Sequence, residues 1–423
     1  MNADQLSLKL ESSLSRGGSS SFEETLRGFQ EFGKTTQIEI FPDAEIELPV
    51  YVNEFWTSKQ RAASSLHEVS YRACFKPQLP RFFISRLTQP GELVYDPFMG
   101  RGTTLLEAGL MGRRVAGCDI NPLSRMLLAP RLKPPSESEI ADRLKRIPKG
   151  GSGCAEFEEL KAFYHPRTLE QIIALRSYLL EREASGELDP IDAWIRMVAT
   201  NRLTGHSPGF FSVYTLPPNQ AVSVQSQLKI NAKRRQTPPE RNIEAIILKK
   251  SRSLLKKIDP EALAAVRAVT SEAQLLAGSC DDTPEIKSNS VALVVTSPPF
   301  LDVIDYQKDN WLRCWFNGLN AESIAIWQLR KVEDWTAAMT RVFRELRRIL
   351  IPGGHIAFEV GEVRGGKVLM ESLVVPAAQE AGLEAKLVLI NDQKFTKTAN
   401  CWGVSNSTKG TNTNRIILLQ KAD

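Results

Sequence analysis

The stretch Val294-Val295-Thr296-Ser297-Pro298-Pro299-Phe300 is the most informative in this chain. Asn289-Ser290-Val291-Ala292-Leu293 leads into it, so apolar residues continue almost unbroken up to Thr296. A β-branched run halted by two prolines predicts a buried parallel strand that stops abruptly. The prolines cannot extend the ladder, and they hold the backbone extended. Ser297 and Phe300 are thereby fixed at the carboxyl end of a strand, where open α/β sheets bind their ligands. Ser297 offers a hydroxyl, Pro298 a carbonyl and Phe300 a flat face. That set suits a planar ring bearing an exocyclic amine. The plainer alternative is an ordinary exit from strand to loop.

A second stretch lies far upstream. Leu93-Val94-Tyr95-Asp96-Pro97-Phe98-Met99-Gly100-Arg101-Gly102-Thr103-Thr104-Leu105-Leu106-Glu107-Ala108 reads as strand, glycine turn and helix. The two glycines permit a tight turn and close approach of backbone to a ligand. Thr103 or Thr104 is placed to cap the helix. Next comes Val115-Ala116-Gly117-Cys118-Asp119-Ile120-Asn121-Pro122, a strand ending in a carboxylate suited to ribose hydroxyls. The turn is not Gly-x-Gly-x-x-Gly, and it lacks the Lys-Ser/Thr of a phosphate loop.

The two stretches together resemble the amino-directed DNA methyltransferases that use S-adenosylmethionine. The family's glycine-turn motif, Asp-Pro-Phe-x-Gly-x-Gly-Thr-Thr, stands at 96–104, and its catalytic motif, (Asp/Asn/Ser)-Pro-Pro-(Tyr/Phe/Trp), at 297–300. The resemblance covers roughly 65–122 and 272–423. It implies an α/β fold: a doubly wound, Rossmann-like sheet with a closing antiparallel hairpin, here Leu387-Val388-Leu389-Ile390 and Arg415-Ile416-Ile417-Leu418-Leu419. It implies catalytic roles for Ser297, Pro298, Pro299 and Phe300. It implies cofactor contacts at Asp96, Phe98, Gly100, Gly102, Thr103, Asp119 and Ile120. Lys76 matches a Lys-Pro element at the cofactor's methionine end, with plain helix entry as the alternative. Asp281 is the candidate for the adenine amine, although Ser279 takes the usual place of that acid directly after Gly278. Ser in the first catalytic position implies cytosine N4 as target; Asp or Asn would imply adenine N6. The chain has no Pro-Cys active loop, which argues against methylation of a ring carbon. A base in a duplex must be flipped out to be reached, and Phe300 is the expected stacking face.

With 423 residues the chain exceeds one typical domain. We expect an N-terminal arm (1–60), a methyltransferase domain (61–122 and 272–423) and a mostly helical insertion (123–271) that reads DNA. The start, 1–35, reads as flexible, with Arg16-Gly17-Gly18-Ser19-Ser20-Ser21 as a linker. Short alternating runs in 36–60 suggest strands or a packing strap. Lys149-Gly150-Gly151-Ser152-Gly153 marks a linker, and Ser207 to Thr215 an aromatic loop. From Lys229 to Lys257 there are ten Lys or Arg against the two acids Glu240 and Glu244. Lys229, Lys233, Arg234, Arg235 and Arg241 are the candidate DNA contacts; the alternative is a solvated helix face. Trp311 and Trp315 stand at helical spacing and are expected in the core. The polar stretch Ala399 to Asn414 is placed to cover the base pocket.

The net charge of +5 permits double-stranded DNA as partner without demanding it. No apolar run is long enough to span a bilayer, and Met1 to Ser21 lacks the apolar core of a signal peptide. The six cysteines are scattered, without a Cys-x-x-Cys pair, and the four histidines have no ligand spacing. A reduced, cytoplasmic protein without metal follows. A cognate restriction endonuclease is a possible partner. Adenine-N6 methylation, an RNA substrate and a non-catalytic binding protein on the same fold remain open at this point.

Overall fold

The computed structural model describes residues 19–43, 46–57, 63–72, 74–150, 154–215, 221–299, 306–327, 329, 331–360, 369–392 and 413–422. Phe300 and nearly all of the expected loop 399–414 lie outside them. In chain order the elements are helix α1 (Ser19–Arg27), strands β1 (Gln37–Ile40) and β2 (Pro49–Asn53), α2 (Gln78–Leu87), β3 (Leu93–Asp96), α3 (Thr103–Leu110) and β4 (Arg114–Asp119). Between β4 and β5 lie α4 (Leu123–Leu132), α5 (Glu137–Arg146), α6 (Pro166–Ala184), α7 (Pro190–Arg202), α8 (Val224–Arg234), α9 (Ile243–Leu255) and α10 (Pro260–Val269). Then follow β5 (Gln274–Ala277), β6 (Val291–Thr296), α11 (Tyr306–Phe316), α12 (Val332–Ile349), β7 (Leu350–Val360), α13 (Glu371–Glu380), β8 (Glu384–Asp392) and β9 (Thr413–Gln420).

The strands form one 9-stranded sheet in the order β1-β2-β8-β9-β7-β6-β3-β4-β5. The pairs β3–β4, β3–β6, β4–β5 and β6–β7 are parallel. The β9 strand runs antiparallel to both β7 and β8, giving the closing hairpin expected from the sequence. Every residue of β6 is buried, as its unbroken apolar run requires. Leu293 and Val295 face one apolar layer, Val291 and Val294 the other. The first layer includes Leu105 and Leu106 of α3 together with Leu127, Ile140, Ile172, Trp194 and Ile247 of the inserted helices. The second is built on α12, whose Trp335, Met339, Val342, Phe343, Leu346 and Ile349 form one buried stripe. With helices on both faces, the sheet is doubly wound.

One local expectation changes. The flexible start ends sooner than its serines suggest: α1 begins at Ser19, inside the expected linker. Phe22, Leu26 and Phe29 recur at helical spacing and are buried, with the Phe22 ring 6.2 Å from Phe82 and 6.1 Å from Phe83 of α2. Three apolar anchors on one stripe outweigh the entropy that Ser and Gly favour. Pro352, Gly353 and Gly354 lie within β7. There the pairing jumps from Val291–Leu350 to Leu293–His355, and Gly353 takes φ +72°. The runs in 36–60 become β1 and β2, which extend the sheet beyond β8; β2 pairs with β8 in parallel. Among the described residues no helix is long and apolar enough to cross a membrane, and no group of His, Cys, Asp or Glu is arranged to hold a metal.

Candidate active site

The carboxyl ends of β3, β4 and β6 open into one cleft with about 920 Å³ of free space, its mouth included. Asp96, Phe98, Gly100, Thr103, Asp119, Ile120, Ser297, Pro298 and Pro299 all line it. Residues some two hundred positions apart are thus brought to one place by the crossover that sets β6 beside β3. Asp96 at the end of β3 accepts from Thr296 Oγ1 at 2.7 Å and from the Phe98 N–H at 3.1 Å. Thr104 does not cap α3; its hydroxyl donates to the Val295 carbonyl at 3.0 Å. The N-cap is Gly102 itself, and no side chain caps it. The threonines instead lock the glycine turn to the end of β6.

The glycines have different tasks. Gly100 takes φ +49° and lines the cleft. Gly102, at φ +75°, is not among the lining residues. A Cβ there would stand 2.6 Å from Leu128, so this glycine lets α3 pack against α4. Asp119 organises the rest of the turn: one carboxylate oxygen accepts from the Gly100 N–H at 2.8 Å, the other from the Asn121 N–H at 2.8 Å. Asp119 itself lines the cleft.

The donor set fits S-adenosylmethionine. Burial pushes Asp96 up to about 7 and also raises Asp119, in both cases against hydrogen bonds that favour the charged form. Buried carboxylates in that condition are stabilised by an arriving cation or by hydroxyl donors. The Nδ2 of Asn121, a residue 3% exposed that lines the cleft, has no hydrogen-bond partner among the described residues. It is a donor left for a ligand acceptor.

Other sequence candidates fall elsewhere. Lys76 does not line the cleft, whereas its neighbours Cys74 and Phe75 do. Asp281 is not among the lining residues; its carboxylate accepts from Ser279 Oγ and pairs with Arg341 at 3.1 Å. At this edge the lining residues are Gly278, Ser279 and Cys280. Lys229, Lys233, Arg234 and Arg235 are exposed on and just after α8. Arg234 stacks its guanidinium 3.7 Å from the Tyr214 ring centroid. Arg241 stands apart, half-buried, with its backbone N–H donating to Thr168 Oγ1 at 2.8 Å. Trp311 and Trp315 are partly buried against the core layer that includes the inserted helices.

Several residues that shape the cleft carry no sequence signal. Trp327 lines it, with its ring 6.3 Å from Phe98 in an edge-on arrangement. Arg131 is fully buried; it donates to the Arg101 carbonyl inside the glycine turn and to Leu127 O at 2.8 Å. Glu107 of α3 binds His67 at 2.8 Å and Arg81 at 3.0 Å. Burial works to raise that carboxyl, but His67 and Arg81 hold it below its ordinary range. Trp335 donates from Nε1 to the Pro299 carbonyl at 3.1 Å and so ties down the backbone that follows β6. Trp335→Phe keeps an aromatic ring, smaller than the buried indole, and loses this donor. Leaving the carbonyl unsatisfied is expected to cost about 1–3 kcal/mol, read as a lower urea midpoint at unchanged slope.

The family match falls on the part of the chain that carries β3, the glycine turn and β4. Residues 34–124 match a family model described as DNA methylase. The chain is 43% identical over 75 residues to the Type II methyltransferase M.MvaI of Kocuria varians, covering 17% of this chain and 16% of that protein. It is 34% identical over 77 residues to the Type II methyltransferase M.MjaII of Methanocaldococcus jannaschii, covering 18% and 14%. It is also 31% identical over 91 residues to a tRNA (guanine(10)-N2)-dimethyltransferase of the same organism, covering 19% and 26%. The chain therefore spans only about a quarter or less of the length of these relatives. The matches support the amino-methyltransferase family, whose cofactor is S-adenosylmethionine.

Proposed function

We propose that this protein transfers a methyl group from S-adenosylmethionine to an exocyclic amine of a base in double-stranded DNA, at cytosine N4 in preference to adenine N6. The observation that carries this is the meeting of Ser297 and Pro298 with Asp96, Gly100 and Asp119 in one cleft. Asp119 and Asn121 would hold ribose and base of the cofactor, and Asp96 its cationic end. The cofactor supplies a methyl on a sulfonium, which is already a good leaving group. What the chain must do is align the amine lone pair with that methyl. An aryl amine delocalises its lone pair into the ring. Ser297 Oγ and the Pro298 carbonyl, accepting the amine hydrogens, favour a pyramidal nitrogen as the bond forms. The proton leaves after transfer, so no strong base is required. The target base must leave the duplex to reach this cleft.

In this reading 123–271 recognises the DNA. Its exposed Lys229, Lys233, Arg234 and Arg235 contact phosphates, which supply affinity without sequence information. Neutralising Lys233, Arg234 and Arg235 together is expected to weaken binding to every duplex. Each lost contact should remove about 0.9 from the log–log salt slope. A folded triple variant with an unaltered slope would leave these residues as a solvated helix end, where the helix dipole alone favours cations.

The experiment that tests the function is to incubate DNA with the protein and labelled S-adenosylmethionine, digest it, and identify the labelled nucleoside. N4-methylcytosine supports the full reading and N6-methyladenine its alternative. The tRNA-modifying relative is the reason to run the same experiment on RNA. Label confined to RNA would overturn DNA as the substrate.

A further inference from the structure

The sheet continues past Ser297 beyond the residues that line the cleft. Val295 of β6 is paired with Ala357 of β7, and Thr296 with Phe358. Val295 and Ala357 enter the same apolar layer, and side chains alternate along a strand. Continuing that register by one step sets Ser297 beside Glu359, both leaving the sheet on the same face, with the strands about 5 Å apart. Asn414 of β9, the next strand over, donates from Nδ2 to Glu359 Oε1. The order β4-β3-β6-β7-β9 therefore places Asp119 and Asp96 on one side of Ser297 and Glu359 with Asn414 on the other.

A nucleophile reaches a methyl group from the side opposite its leaving group. A base whose amine faces Ser297 then lies toward β7 and β9, away from the body of the cofactor. Glu359 is partly buried there, and no cation is paired with it among the described residues. Burial pushes its carboxyl up to about 7, against the hydrogen bond from Asn414. A protonated carboxyl both donates and accepts, whereas an ionised one only accepts.

We propose that Glu359 reads the target base by donating its O–H to the ring nitrogen next to the exocyclic amine, which is N3 of cytosine or N1 of adenine. This rests on the base-methylation reading above and adds to it the class of edge recognised: an amine beside an unprotonated ring nitrogen. Ser297 and the Pro298 carbonyl take the amine hydrogens, and Glu359 fixes the base in its plane.

The test starts from a duplex whose methylated base has been mapped with the wild-type protein. The same duplex is made with that ring nitrogen replaced by CH, as 3-deazacytosine or 1-deazaadenine. The replacement is expected to lower wild-type kcat/KM about tenfold, as the loss of one hydrogen bond does. Glu359→Ala should lose a similar factor on the natural base, lose nothing further on the deaza base, and bind S-adenosylmethionine with unchanged affinity by calorimetry. Glu359→Gln, a neutral donor of similar shape, should stay within about threefold of wild type on the natural base. Losses from the variant and from the deaza base that simply multiply would overturn the proposal. So would a wild-type protein indifferent to the deaza base, a result that needs no variant to fold. A wild-type protein that methylates no base in any DNA refutes instead the reading on which this rests.

Discussion

Ser297→Ala is expected to slow methyl transfer by about ten- to a thousandfold while leaving S-adenosylmethionine and duplex DNA bound nearly as well as before. The hydroxyl stands at the end of β6, in the cleft that also holds the glycine turn. Its acceptor lone pair matters most as the amine becomes pyramidal, so its removal acts on the transition state more than on the bound complex. Activity need not vanish, because the Pro298 carbonyl remains and Trp335 still holds the following carbonyl in place. Single-turnover rates on a mapped target measure the chemical step directly. A variant as fast as wild type would remove Ser297 from the mechanism and reopen the choice between cytosine and adenine.

What the sequence revealed of this site is what is written locally. A β-branched run ending in two prolines specifies a buried strand and its abrupt stop within ten residues. The glycine turn is equally compact, and Asp119 follows it on the next strand. The closing hairpin was legible because β8 and β9 carry their own apolar runs. The missed parts are contacts between residues distant in sequence. Trp335 reaches Pro299 from α12, and Arg131 reaches the Arg101 carbonyl from α4. No spacing rule links them. The same holds for Asp281, which pairs with Arg341 of α12 and is not among the residues lining the cleft.

Asp119→Ala is expected to weaken S-adenosylmethionine binding about ten- to a hundredfold, with DNA affinity little changed. Loss of a charge-assisted contact to ribose alone would cost on the order of 1.5–3 kcal/mol. The structure adds a second route to the same loss. Asp119 accepts the N–H groups of Gly100 and Asn121, so its removal frees both sides of the cofactor cradle. The Gly100 backbone at φ +49° then has less to hold it. Asp119→Asn separates the two contributions. Its one amide oxygen can still accept a backbone N–H, but it carries no charge and its amide nitrogen cannot accept the other. The asparagine variant should therefore fall between wild type and alanine in cofactor affinity. Titration calorimetry with S-adenosylmethionine reads the order of the three proteins. Equal affinity across them would take Asp119 out of the cofactor site and leave it only as the clasp between the glycine turn and β4.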